Sequence, residues 1–170
     1  MFEDLAQTVL DLVSTYGYLV VVVFTFLEAS MLFPLLPSEV VVPGAAALLV
    51  VGPVTFALFV AAVVVGTTIG SLFAYHTFGE RGRSAIDATE YVGVSASDFE
   101  RGEQWFRKWG ESSVCWGRLL PFLRSVISVP AGFAGMARWK FTLYSAVGAA
   151  AFGAGVALAV RTGMGFLGYG

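Results

Sequence analysis

The chain has 170 residues, 57% of them hydrophobic and 13% charged, with a mean hydropathy of +0.78. A soluble domain carries about 25% charge, so this composition belongs to a single-domain integral membrane protein. A formal net charge of −2 with no basic run excludes nucleic acid as a partner, and a single cysteine, Cys115, excludes an internal disulfide and a cysteine metal cluster.

Over residues 1–14, Phe2, Leu5, Val9, Leu12 and Val13 share one helical stripe, with Glu3, Asp4 and Asp11 off it. That pattern predicts an amphipathic helix lying at the membrane interface. The first seventeen residues hold no Lys or Arg, so the charged start of a cleaved signal peptide is not expected. From Tyr18 the run LVVVVFTFLEASMLF begins a membrane helix that meets Pro34 and Pro37. Proline removes a backbone donor and clashes with the preceding turn, so a continuous helix is not expected there. Tyr18 to Gly79 contains no Lys, Arg or Asp. As one helix it would run about 93 Å, roughly three hydrocarbon thicknesses, so the chain must turn. The prolines place a re-entrant hairpin over 31–51 and a full crossing over 53–77.

Residues 80–113 hold twelve of the twenty-two charges and form the one sizeable polar loop. Within it Ser97-Asp98 reads as the start of a surface helix, with Phe99, Phe106 and Trp109 on one face. Residues 112–135 return to an apolar, proline-broken pattern and form the second re-entrant hairpin. Arg138, Trp139 and Lys140 then stand together as expected at a membrane interface, ahead of a last Gly- and Ala-rich crossing over 141–168. The order proline, charge, proline, glycine occurs twice: Pro37, Glu39, Pro43 and Gly44, then Pro121, Arg124, Pro130 and Gly132. Duplicated broken segments point to a transporter of inverted repeats with its site near mid-membrane. The expected fold is therefore all-α, polytopic, with two re-entrant hairpins in an inverted-repeat arrangement. The Lys/Arg bias places the 80–113 loop and the Arg138–Lys140 corner on the cytoplasmic side.

The chemistry lies in the exceptions to the apolar pattern. Glu28 and Glu39 flank Pro34 and Pro37, while Arg118 and Arg124 flank Pro121. A charge at membrane depth costs roughly 2.5–3.5 kcal/mol on insertion scales, so each needs a reason to be there. Irregular backbone at that depth must be buried in protein or line a wet cavity. In such a cavity Arg118 and Arg124 suit a phosphate, whose oxygens match the guanidinium fork. Glu28 and Glu39 suit ion coupling, because removal from water favours a protonated carboxyl. Structural readings stand beside these. Glu39 follows Ser38 and fits a helix first turn. The arginines could hold orphan carbonyls, or form a static quartet with the two glutamates. His76 beside Tyr75 fits an interface position. Arg161, near the chain end, fits a snorkelling cation, and Trp105 and Trp109 fit interface anchors. Gly66 and Gly70 fit close helix packing. One histidine and no metal-ligand spacing argue against an enzyme, and no metal or cofactor is expected.

The stretch WGRLLPFLRSVISVPAGFAGMARWKF resembles the signature of the DedA membrane protein family, also called the SNARE-associated Golgi or VTT-domain family. The matching positions are Arg118, Pro121, Arg124, Ala131-Gly132, Met136 and Phe141. Upstream, LEASMLFPLLPSE is similar to the family's acidic motif, with Glu28, Pro34, Pro37 and Glu39 in place; the second acid is often Asp in relatives. Gly66, Gly70, Tyr75, Gly79 and Gly82 complete a likeness that covers roughly residues 16–165. The resemblance implies a multi-pass protein of the cell membrane with two opposed re-entrant hairpins. It also implies movement of lipids between leaflets, notably of polyprenyl phosphates, with Glu28 and Glu39 as the essential acids and Arg118 and Arg124 as the essential arginines. Many relatives continue beyond the point matching Gly170 into a further helix, so a homodimer is expected to complete the unit.

The leading expectation is thus a flippase for a phosphate-headed lipid, coupled to H+ or Na+. Two other readings are a proton-coupled exchanger of small solutes and a non-transporting scaffold with a static buried charge cluster.

Overall fold

The computed structural model describes residues 7–8, 11–13, 15–32, 38–80, 110–120 and 123–166. All elements among these residues are helical. They are α1 (Tyr18–Ala29), α2 (Ser38–Leu49), α3 (Pro53–Ala74), a π-helical turn (Tyr75–Glu80), α4 (Ser113–Gly117), α5 (Leu123–Val126), α6 (Ser128–Phe133) and α7 (Arg138–Phe166). Pro34, Pro37, Pro121 and the surface helix expected after Ser97 lie outside the described residues, as do Phe2, Leu5 and Val9 of the N-terminal stripe. Of that stripe, Val13 is buried in the core and Leu12 is exposed.

Two stretches are long and apolar enough to cross a membrane. One is Pro53–Gly79, formed by α3 and the π-helical turn; the other is Arg138–Gly163 of α7. The crossing expected over 53–77 coincides with the first. Pro53 opens α3 at its first turn, where a missing N–H costs nothing, and Gly52 precedes it in an extended conformation. α1 and α2 have 12 residues each. At about 1.5 Å per residue that is roughly 18 Å, well short of a 30 Å hydrocarbon core.

The two broken units are built differently. Pro43, expected to share in breaking the first unit, sits inside a continuous α2. It is the sixth residue of that helix, so the local loss is the N–H that would have bonded the carbonyl of Glu39. The second unit is broken three ways, into helices of 5, 4 and 6 residues.

Close approaches lock these pieces together. A Cβ on Gly66 would run into Thr25 Oγ1 and the carbonyl of Val22, and one on Gly70 into the carbonyl of Phe26. The small residues of α3 therefore seat α1 backbone-to-backbone, the role expected of them. Gly79 and Gly132 do the same between the π-helical turn and α6: a Cβ on Gly79 would lie 2.7 Å from the Cα of Gly132. Gly148 of α7 lets α4 pass, since a Cβ there would lie 2.8 Å from the carbonyl of Cys115. One apolar cluster joins α1, α2, α3 and α7 around Val21, Phe24, Val42, Phe59, Val63 and Ala157. A second joins the π-helical turn to α4, α6 and α7 around Tyr75, Val114, Ala131 and Phe141. The Tyr75 hydroxyl donates to the carbonyl of Met136, and its ring lies 4.6 Å from that of Phe141.

Candidate functional site: a buried ion pair beside a cavity

Glu28 stands in the last turn of α1, which ends at Ala29. Two residues on, Met31 adopts φ +59, a conformation that residues with a Cβ rarely take, and so turns the chain sharply away from α1. This termination leaves the Glu28 carboxylate pointing into the gap between α1 and the short helices of the second unit.

Arg124, on α5, fills that gap. Its Nε donates to Glu28 Oε1 at 2.9 Å, and a terminal nitrogen donates to Oε2, giving a two-pronged pair. Both residues are buried, at 5% and 6% relative exposure. The guanidinium carbon lies 4.2 Å from the centre of the Phe152 ring of α7, a cation–π contact in an apolar setting. Arg124 and Phe152 also line a cavity of about 150 Å³, together with Ser38, Glu39, Pro43 and Val156. At roughly 30 Å³ per water, that space would hold a few waters or one small anionic group. Glu39 is exposed in the first turn of α2 and lines the same cavity as Arg124.

Arg118, the residue that ends α4, has different surroundings. It is 1% exposed. One terminal nitrogen donates to the carbonyl of Arg124 at 2.8 Å. The other donates to Ser145 Oγ at 2.9 Å and to Ser128 Oγ at 3.3 Å. The Phe141 ring centre lies 5.7 Å from its guanidinium carbon, and its Nε has no partner among the described residues. Arg118 thus ties α4 to α5, α6 and α7 and holds the backbone on which Arg124 is mounted.

The four charges singled out in the sequence therefore gather at one place but do not form one cluster. Glu28 and Arg124 pair, Glu39 and Arg124 line one cavity, and Arg118 bonds the backbone carbonyl of Arg124. Pro130 and Gly132 sit in α6, with Gly132 against Gly79. Ser128, Ser145 and Phe152 were not singled out by sequence reasoning; their only signal is a hydroxyl or a ring in an apolar helix. His76 is exposed near the end of the first long apolar stretch. Among the described residues no three His, Cys, Asp or Glu side chains are grouped so as to hold a metal ion.

The family model of the VTT domain matches residues 36–162. The chain belongs to the VTT-domain (DedA) family. That match contains Glu39, Arg118, Arg124 and the whole of α2 through α6. Among relatives of this VTT-domain chain, undecaprenyl phosphate transporter A of Staphylococcus aureus is 27% identical over 161 residues, covering 92% of this chain and 78% of the relative. The protein of the same name in Bacillus subtilis is 28% identical over 141 residues, covering 82% and 68%. A relative from Lactococcus lactis, named alkaline phosphatase-like protein, is 25% identical over 148 residues, covering 84% and 68%. No solved structure matches the chain.

Proposed function

We propose that this protein is a multi-pass transporter of the cell membrane that moves a phosphate-headed lipid, foremost a polyprenyl phosphate, between leaflets. The observation that carries the reading is the position of Arg124: it is held by Glu28 and Phe152 and at the same time lines a cavity with Glu39. The relatives named undecaprenyl phosphate transporter A support the choice of cargo.

The chemistry follows from charge balance. A lipid phosphate entering the cavity competes with the Glu28 carboxylate for the guanidinium fork of Arg124. If Glu28 were displaced and stayed ionised, a buried charge would be left uncompensated, at a cost of about 3–5 kcal/mol. Uptake of a proton by Glu28 removes that cost, so phosphate binding and proton uptake are linked. Glu39, exposed at the cavity, delivers the coupling H+ or Na+. Arg118 acts as a positioning residue that fixes the Arg124 backbone. The segment 31–51, which holds α2, and the segment 112–135, which holds α4–α6, serve as the two re-entrant hairpins that meet at the cavity. The site is a binding arrangement, and the reading is of a transporter and not of an enzyme.

The test is flipping of a fluorescent polyprenyl phosphate in vesicles carrying the purified protein. The intact protein is expected to flip it and Arg124→Ala to stop it. Normal flipping by Arg124→Ala would sink the phosphate role. The internal bonding of Arg118 favours a second reading, a static charge cluster. Its mark would be a folded intact protein that flips no lipid, with the swapped pair Glu28→Arg and Arg124→Glu restoring the stability that either single variant loses.

A further inference from the structure

A second cavity, sharing no residue with the first, opens where the two long apolar stretches meet the same face. It measures about 530 Å³, within the size range of small-ligand sites, and is lined by Ile69, Leu72 and Phe73 of α3, His76 and Thr77 of the π-helical turn, and Arg138. We propose that this cleft binds an anionic glycerophospholipid of the surrounding bilayer, its phosphate at Arg138 and Thr77 and the start of one acyl chain along Ile69, Leu72 and Phe73.

Three observations carry this. The first is depth. His76 and Thr77 lie at the end of the Pro53–Gly79 stretch, and Arg138 opens the Arg138–Gly163 stretch, so the polar rim stands where both stretches leave the hydrocarbon. Trp139 beside it is 67% exposed, as an interfacial tryptophan is. The second is polarity along the cleft. Ile69 precedes His76 by seven residues, about 10 Å at 1.5 Å per residue, so the apolar wall runs inward from the headgroup level to acyl-chain depth. The third is charge. Arg138 is exposed, and its planar fork matches phosphate oxygens. Arg138 and His76 each interact within the protein, and a guanidinium carries five donors. The wall itself is firm: Phe73 packs on Phe26 at 6.3 Å, and Tyr75 is bonded to Met136. A lipid seated here would clamp the end of α3 to the start of α7.

The experiment reconstitutes the protein in a mixed phosphatidylcholine–phosphatidylglycerol bilayer and counts retained lipid by native mass spectrometry after extraction. Phosphatidylglycerol is expected to be retained in preference to phosphatidylcholine. Arg138→Gln should lower its occupancy about fivefold, the effect of one interfacial cation, while Arg124→Gln should leave it unchanged. Arg161→Gln removes an exposed cation at the far end of α7 and controls for diffuse attraction. Unchanged retention in Arg138→Gln, equal retention of the two lipids, or equal losses in Arg138→Gln and Arg161→Gln would each overturn the site. Loss in Arg124→Gln alone would assign the retained lipid to the first cavity and overturn it as well.

Discussion

Arg118 and Arg124 are six residues apart, both buried and both over an aromatic ring, yet they face opposite kinds of neighbour. Among the described residues Arg118 meets only neutral acceptors, one carbonyl and two serine hydroxyls, fixed on three different helices. Arg124 meets a carboxylate that is itself ionisable, with a cavity alongside. A cation solvated by dipoles has nothing to exchange. A cation solvated by one anion can trade it for another. Burial alone thus does not mark a working charge; the replaceability of its partner does.

The largest effect is expected where that partner is removed. Glu28→Gln leaves the Arg124 charge uncompensated and should cost about 3–5 kcal/mol of stability, read as a fall in unfolding temperature in detergent. The double variant Glu28→Gln with Arg124→Gln removes both charges and should recover most of that loss without recovering flipping. If the double variant is as unstable as the single one, the cost lies in packing and not in charge.

The Arg118 side of the contrast breaks differently. A lysine keeps the charge but cannot place donors on the Arg124 carbonyl and both serines at once. Arg118→Lys should therefore cost about 2 kcal/mol, with Ser145→Ala moving in the same direction by less. Flipping per folded molecule should fall only in step with stability in both, because Arg118 acts on it through the Arg124 backbone. Flipping lost while the unfolding temperature stays unchanged would place Arg118 on the substrate and erase the distinction.

How much of this was legible in the sequence follows from the same contrast. Glu28, Glu39, Arg118 and Arg124 stood out because any charge in an apolar run is costly, and Gly66 and Gly70 because their spacing fits close packing. The pairing of Glu28 with Arg124 crosses 96 positions, so local pattern could not choose it over a pairing with Arg118. The acceptors that occupy Arg118 were hidden for a related reason: a serine in an apolar helix ordinarily bonds its own backbone, as Ser71 does to the carbonyl of Thr67. Phe152 is one of fifteen phenylalanines and became distinctive only once the fold laid it on Arg124. Pro43 misled in the other direction: it stands midway along α2, where it removes one backbone bond without ending the helix.

Glu39 gives the smallest stability effect and the finest test of the contrast. It is exposed, so Glu39→Gln should change stability by no more than about 0.5 kcal/mol. Its carboxylate nevertheless lines the cavity that Arg124 lines. If the exchangeable side of the site is served by an ion, removing this charge should slow gradient-driven flipping while leaving downhill exchange of the lipid close to normal. The measurement compares flipping rates of Glu39→Gln vesicles with and without an imposed proton or sodium gradient. A gradient that accelerates the variant as much as the intact protein would leave Glu39 as a residue of the α2 first turn, stabilising helix amides as an acid does at that end. On the proposed mechanism, coupling would then rest on Glu28 alone, the partner that a phosphate would displace from Arg124.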